Sequence, residues 1–468
     1  MPNMPVTLIK GDSTNSKTDY RDALPVNMTG VLREILGAQG YMISHPGLSE
    51  FAVGAGLDRG GVWNERLGEH FRVSGQELVT LSDLGAVNSI GAVSGSDRAS
   101  FAYSFNTQAV VEDGEMWLYD GTTFTQITDT DLGSPIDICW VDGYYFLTDG
   151  EYLYHTLITD EYSIDPLQYA TAEFSPDPTL GVAKTTDNQV IVFGRYSTEW
   201  FVNRATPNFA FQRLTGKSVK SGIVGTHCKA ELEGRFYVMG GAKYESVSIH
   251  VVSGGMYQSI ASREVDKLIA EYTESQLSES IIETRTEDRD KFIIVHLPNE
   301  TLIYNASLAE RVGNDLAWSI VKSDILGDTP WRGVNGVFDP RIGWVYGDKY
   351  NSNIGLLDHS VSTQYGDAVE QILYSPLINL ETASIDKLSI ESIPGHQINP
   401  DNVTVALSLT YDGLTYGKEW WVGYGQIHNY GQRFIVNRLG YVRDNVGFKL
   451  RCASPERLCF ALMVVSYG

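Results

Sequence analysis

Short apolar runs recur along most of this chain, each closed by a polar pair built on Asp, Asn or Gly. The clearest case is residues 137–157, DICWVDGYYFLTDGEYLYHTL, where three runs are separated by Asp142-Gly143 and Asp149-Gly150. An Asp-Gly pair between alternating hydrophobics predicts a two-residue type I′ hairpin, because that turn needs positive φ at both positions. The stretch therefore reads as three antiparallel strands in a row. The same pattern repeats on both sides. Strands are predicted at 62–65, 70–73 and 77–81, then at 100–104, 109–112, 115–119 and 124–128. After 137–157 come 182–185, 190–194, 199–202 and 211–214, then 225–232, 235–239, 246–252 and 256–260. Two further groups follow at 281–286, 292–297, 301–304 and 318–321, and at 334–339, 343–346 and 354–357.

The groups repeat at roughly 40 to 50 residues, the period of propeller blades. A small sheet of this kind cannot bury both faces alone, and stacking such sheets around an axis does so while leaving only short edges. The expected fold is all-β: residues 57–362 form a β-propeller of about seven blades, with six or eight as the neighbouring counts. Groups with only three strands leave room for one from the N-terminal segment. Residues 1–56 stand outside the pattern and read as an arm or lead-in. Within them Leu24-Pro25-Val26-Asn27-Met28 is extended, since the residue before proline is pushed out of the helical region. Glu34-Ile35-Leu36 leads to Gly37 and Gly40, and His45-Pro46-Gly47 is a turn.

One segment switches to helical period. Val265, Leu268, Ile269 and Tyr272 share a face, with Ser262 as N-cap, and Thr273 and Gln276 have capping-box spacing for a second short helix. This helical insertion near 262–279 is expected to pack on its own domain. From about 370 the texture changes again. Seven runs, at 373–376, 387–392, 403–411, 419–422, 434–440, 447–453 and 460–465, predict a C-terminal antiparallel β-sandwich over 370–468.

The chain has 468 residues, 43% hydrophobic and 20% charged, with a formal net charge of −23. That composition supports packed cores and excludes a disordered chain. No run of several Lys or Arg occurs, which removes the usual signature of a phosphate-binding surface. Cys139 and Cys228 fall in strand-like runs, and Cys452 and Cys459 flank Ser-Pro-Glu-Arg and could face each other across a hairpin. The N-terminus has no long apolar core and no stretch of 18 apolar residues occurs, so neither a secretory signal nor a membrane anchor is expected, and the thiols are expected to be reduced.

No catalytic motif is present. The histidines lack metal-ligand spacing, and no nucleophile elbow, zinc-protease motif or P-loop occurs. No catalytic, cofactor-binding or metal-binding residue is assigned, and no cofactor is expected. Gly54-Ala55-Gly56 begins like a dinucleotide fingerprint but precedes a β run instead of opening a helix. Thr410-Tyr411-Asp412-Gly413-Leu414-Thr415-Tyr416 resembles the Asp-box turn of sialidase-type propellers, where the box is structural; here it reads as a corner between strands. Trp420 and Trp421 with Tyr424 are the candidate contact residues, as core, as a subunit interface or as a sugar-stacking platform.

Words spread along the whole chain carry a resemblance. They are Asp19-Tyr20, Leu24-Pro25-Val26-Asn27-Met28, Glu34-Ile35-Leu36, Gly40-Tyr41 and Pro46-Gly47. In the middle stand Gly222-Ile223, Gly225-Thr226 with Cys228-Lys229, and Ile294-Val295-His296-Leu297-Pro298. Near the end stand Gln364-Tyr365-Gly366, Asp412-Gly413 with Tyr416-Gly417, and Asn445-Val446-Gly447-Phe448-Lys449-Leu450-Arg451. In this order they resemble the packaged-DNA stabilisation proteins, or tail accessory factors (tail hubs), of short-tailed phages of enteric bacteria. The resemblance implies a structural virion protein and not an enzyme. It implies a homo-hexamer beneath the portal and its adaptor ring, made in the host cytoplasm, that extends the DNA channel and helps retain the packaged genome. It also implies docking of the tail needle and tailspikes, with genomic DNA passing through without sequence-specific binding. The alternative is a phage glycan-binding or glycan-cleaving propeller used in adsorption.

Overall fold

A computed structural model describes residues 3–6, 24–33, 38, 40–394 and 403–468. Asp19-Tyr20 and Glu34-Ile35-Leu36-Gly37 lie outside the described residues. Seven four-stranded antiparallel sheets succeed one another as blades. Blade one is Asp58–Asn64, Glu69–Ser74, Glu77–Leu81 and Val87–Ala92; blade two is Ser100–Tyr103, Gln108–Glu112, Glu115–Tyr119 and Phe124–Gln126. Blade three is Asp137–Val141, Tyr144–Thr148, Leu153–Leu157 and Asp160–Ala170, and blade four is Thr179–Lys184, Val190–Gly194, Thr198–Asn203 and Phe211–Arg213. Blade five is Lys229–Leu232, Arg235–Gly240, Ser248–Ser253 and Met256–Ser259. Blade six is Ile281–Glu287, Asp290–His296, Thr301–Asn305 and Trp318–Val321. Blade seven takes Gly333–Asp339, Gly343–Asp348 and Asn353–Asp358 from its own stretch and Gly47–Val53 from the N-terminal segment. The first strand of each blade touches that of a neighbour, so these strands line the axis.

Blade faces pack on one another. Phe71, Val73 and Leu78 of blade one bury against Val110 and Trp117 of blade two. Ile191 and Phe193 of blade four join Val238 and Ile249 of blade five and Val295 and Leu302 of blade six. The insertion forms helices Arg263–Ala270, capped by Ser262, and Glu274–Leu277, opened by the Thr273–Gln276 capping box. Val265, Ile269 and Leu277 bury in the core of blades four to six. A third helix, Ala306–Val312, capped by Asn305, was not legible as a helix because it follows a strand without a break.

Turn chemistry separates two classes of Asp-Gly pair. Asp113-Gly114 and Asp142-Gly143 both have positive φ (49° and 75°, 52° and 91°) and join strands through two residues. At Asp149-Gly150 only the glycine is positive, at 98°. There the Asp149 carboxylate accepts from the amides of Glu151 and Tyr152, at 3.0 and 2.7 Å, and the loop spans four residues, 149–152. The type I′ expectation is corrected at that pair. The side chain caps the loop in place of the backbone.

The N-terminal segment runs through both domains. Met28–Val31 pairs with Tyr41–Ser44, which pairs with Cys459–Tyr467, and Asn3–Val6 pairs with the same C-terminal strand. Ala383–Ser392 and Phe434–Val442 complete this sheet of the C-terminal sandwich. The second sheet runs Glu370–Tyr374, Asn445–Ala453, Val403–Thr410 and Glu419–Gly425, with Ile378–Asn379 also on Asn445–Ala453. Leu388, Leu407, Phe434, Phe448, Phe460 and Met463 are among the side chains buried between the sheets. All four cysteines are buried free thiols.

Between the domains, residues 25–27 are hydrogen-bonded on both sides. Ile320 N donates to Pro25 O (2.8 Å) and Asn27 N to Ile320 O (2.8 Å), on the outer strand of blade six. Val26 exchanges both backbone bonds with Ile372 of the sandwich at 2.9 Å each. Asn27 is buried at φ 51°, a left-handed conformation that Asn tolerates better than most residues. Its side-chain amide donates to Lys322 O (3.0 Å) and Glu370 O (2.7 Å) and accepts from Lys322 N (3.0 Å). One side chain thus satisfies backbone groups of both domains. A few residues on, Gly47 passes Thr363 so closely that a Cβ would lie 2.2 Å from its carbonyl oxygen.

The seam between blades seven and one is polar. Arg72, fully buried, donates to Asp58 (2.6 Å), to Asn335 O (2.9 Å) and to His70 Nε2 (3.2 Å). Since arginine only donates, His70 is neutral and gives its Nδ1 proton to Asp339 at 3.3 Å. Arg341 holds the same carboxylate and also donates to Leu81 O of blade one. Burial pushes the His70 pKa down to about 4, with the nearby Arg72 adding to the effect. His45 is held well below its ordinary value by burial and by Arg285, which donates to its Nε2 at 3.1 Å.

Two outcomes are expected. Asn27→Gly keeps the backbone conformation and removes three hydrogen bonds, so it should cost about 3 kcal/mol, read from the shift of a urea midpoint. An unchanged midpoint would show that the junction does not rest on this side chain. His45 and His70 stay neutral in the fold while the unfolded imidazoles take up protons below about 6.5. Their contribution is therefore complete above that pH and is lost as pH falls below it, for His70 toward about 4. His70 should account for about 2 kcal/mol of destabilisation between pH 7.5 and 5, and His45 should add to it in the same direction. Urea midpoints that do not move over this interval would mean that the seam accepts charged imidazoles.

Candidate functional site: the outer face of the sandwich

The strand Glu419–Gly425 pairs with Val403–Thr410 and lies at the end of its sheet. Alternation along it sends successive side chains to opposite faces. Trp420 packs partly buried against the sandwich core, whereas Trp421 points outward and is 60% exposed. Tyr424 is on the core side and fully buried. Its hydroxyl has Cys459 O (3.0 Å) and Ile393 O (3.2 Å) within reach of its one proton and accepts from Cys459 N (3.0 Å), and its ring meets Phe460 edge-on at 5.6 Å. The three aromatics therefore do not share a surface. Tyr424 is a core residue that ties the end of one sheet to the last strand of the other. The alternation was readable in the sequence, but which face is the inner one was not.

Trp421 belongs to a ladder of side chains across the outer face. Ile372, Arg451, Ala406 and Trp421 lie in one cross-strand row, and Tyr374, Lys449, Ser408 and Glu419 in the next. Arg451 is the centre of this face. Its guanidinium lies 5.8 Å from the Trp421 ring centre, binds both oxygens of Glu419 at 2.9 and 3.0 Å, and reaches Glu370 at 3.4 Å. The hydrogen bonds to Arg451 hold the Glu419 carboxyl below its ordinary value, and those to Glu419 raise the arginine. Glu370 continues inward to Lys322 of blade six at 2.9 Å, with both side chains about nine-tenths buried. A charged path thus runs Lys322, Glu370, Arg451, Glu419 from the propeller to the exposed indole. Lys449 sits over Tyr416 at 4.6 Å, and Tyr416 packs on Tyr374 at 5.8 Å, extending the aromatic and cationic texture. Sequence reading missed Arg451 and Glu419 because their partners are far apart along the chain.

The Asp412 turn spends its carboxylate locally. It accepts from Leu414 N (2.9 Å), Thr415 N (2.8 Å), the Thr415 hydroxyl (2.7 Å) and the Thr410 hydroxyl (2.9 Å), and these bonds hold its pKa down. It closes a corner and offers no free acid or base. Among the described residues no cluster of three or more His, Cys, Asp or Glu side chains could hold a metal, and no helix is long and apolar enough to cross a membrane.

Family models described as "Bacteriophage P22 Gp10, beta-propeller" and "Bacteriophage P22 Gp10, beta-sandwich" match residues 4–362 and 370–467. The tail hub protein gp10 of Salmonella phage P22 is 31% identical over 475 aligned positions, 96% of each chain. Among solved structures, the extracellular domain of a hybrid two-component system from B. thetaiotaomicron aligns with a TM-score of 0.44 at 10% identity, over 68% of this chain and 40% of that one. The N-terminal domain of Nup159 aligns at 0.42 and 10% identity, over 72% and 100%. Those two likenesses are loose and carry no argument. Both domains match in order, and the alignment runs nearly end to end: this chain belongs to the family of the phage P22 tail hub protein gp10.

Proposed function

We propose that this chain is a structural subunit of a phage tail hub and works without catalysis. The observation that carries this reading is the alignment over 96% of both chains, with propeller and sandwich in the same order. The finer picture is a ring of six copies beneath the portal and adaptor ring, contacting needle and tailspikes and continuing the DNA channel. Head-to-tail contacts that close on themselves give such rings, and a subunit in which two domains share backbone hydrogen bonds supports load without hinging. A net charge of −23 suits a wall along which duplex DNA slides without forming condensed contacts. Trp421, with Arg451 behind it, is the residue we assign to a subunit or partner contact; exposed Trp backed by Arg is the composition of interface hot spots.

The glycan reading is not favoured. It draws on the propeller pattern, the aromatic platform and the Asp-box-like turn; a propeller suits either reading, Tyr424 is core, Trp420 and Trp421 face apart, and Asp412 is engaged within its own turn.

Deleting the gene should leave packaging intact and yield mostly emptied heads with defective tails, counted by negative-stain microscopy of lysates. Full heads with complete tails would overturn the reading. Trp421→Ala should leave the melting temperature within about 1 °C of the parent, because an exposed side chain contributes little to folding, and should lower incorporation of the protein into tails. Normal incorporation would remove Trp421 from the contact surface.

A further inference from the structure

A chain this acidic holds a cavity of the opposite sign. It opens at the propeller axis, among the inner strands of blades one to five, with a volume of about 650 Å³. Its walls carry Arg66, Arg98, Lys184 and Lys229 against a single carboxylate, Asp137. Asp137 is already used: it binds Lys229 at 2.7 Å and accepts from Val182 N at 2.8 Å. Among the described residues neither Arg66 nor Lys184 has a carboxylate partner; they lie over the aromatic rings of Phe105 and Trp140, at 4.7 and 5.2 Å. Phe105 meets Trp140 edge-on at 4.9 Å, so the two rings form one apolar wall beneath the cations.

Among the described residues, two polar atoms of this wall, Arg98 Nη1 and Trp140 Nε1, lack a hydrogen-bond partner. Both groups can only donate. The carboxylate nearest to Arg98 Nη1 is Glu283, at 3.8 Å, which already accepts from the amides of Asn335 and Gly336. The cavity therefore presents donors and positive charge with too few acceptors, over an aromatic surface, in the size range of small-molecule sites.

We propose that this axial cavity binds a small phosphate ester. The phosphate sits among Arg66, Arg98 and Lys184, and the body of the molecule lies on Phe105 and Trp140. A phosphate monoester, with charge near −2, matches the unpaired Arg66 and Lys184, with the loosely paired Arg98 beside them, better than a single carboxylate does. The rings supply the apolar face that a sugar or similar body covers. Duplex DNA is too wide to enter a cavity of this volume.

Isothermal titration of the full chain with glucose 6-phosphate, glucose and inorganic phosphate tests this. Saturable one-to-one binding of glucose 6-phosphate is expected, with inorganic phosphate weaker because it leaves the rings uncovered and glucose weaker because it lacks the charge. Arg66→Gln/Lys184→Gln changes two exposed side chains and should weaken glucose 6-phosphate binding roughly tenfold or more without altering the melting temperature. Arg98→Gln should do the same from the inner wall. Lys291→Gln, on the surface of blade six, should change nothing. Three results would overturn the proposal: no saturable binding, glucose binding as well as its phosphate, or affinity unchanged in both cavity variants, which would mean an adventitious anion only.

Discussion

A ring of blades has a seam, and in this protein the strand that closes it arrives from the other domain. Gly47–Val53 adds to Asn353–Asp358 as the last strand of blade seven only after the chain has contributed Met28–Val31 and Tyr41–Ser44 to the sandwich. Closing the ring therefore pairs residues some three hundred positions apart, and the loop-closure entropy of that pairing must be offset by burial and hydrogen bonding along the route. Leu48 supplies part of it, buried with Trp331, Tyr346 and Ile294. Asn27 supplies another part by bonding to Lys322 and Glu370 at once. Neither domain is finished without this passage, so propeller and sandwich form a single mechanical body.

Polar groups hold the seam and the junction where an apolar core might be expected. Arg72, Asp58, His70 and Asp339 are all close to fully buried, as are Lys322 and Glu370. Removing charges from water is costly, and such networks return the cost only when every partner is in place. Their geometry does what apolar packing cannot: each arginine fixes the angle between two strands by bonding to named atoms on both. The same logic extends outward through Arg451 to Trp421, so an exposed residue on the sandwich is tied to blade six by a cation–π contact and two ion pairs.

The fold was largely written in local chemistry. Strand pairs joined by Asp113-Gly114, Asp142-Gly143 and Glu233-Gly234 appear where the sequence places them, since turn type depends on φ preferences of two residues. The capped helices 263–270 and 274–277 follow for the same reason. Outer blade strands were harder. Val87–Ala92 and Asp160–Ala170 bury little, so they show weak alternation, and the second contains Pro166. A strand with one neighbour and water on the far side leaves little hydrophobic signal.

What the sequence determined by itself was the period, the turns, the change of texture near residue 370 and the acidic balance, all properties of short stretches. Relations between distant stretches arise only when the chain has folded. The N-terminal residues read as an outlying arm because nothing local distinguishes an arm from a strand whose partner lies at the other end of the chain. Trp420, Trp421 and Tyr424 read as one cluster because alternation gives two faces without saying which is inside. The four cations at the propeller axis come from blades one, four and five and from Arg98 in the loop before blade two, and no run of the sequence is basic. Local order follows from dihedral preference and hydrophobic period; the inside of a face, the sign of a cavity and the partner of an edge follow from closure, which exists only once the ring has formed.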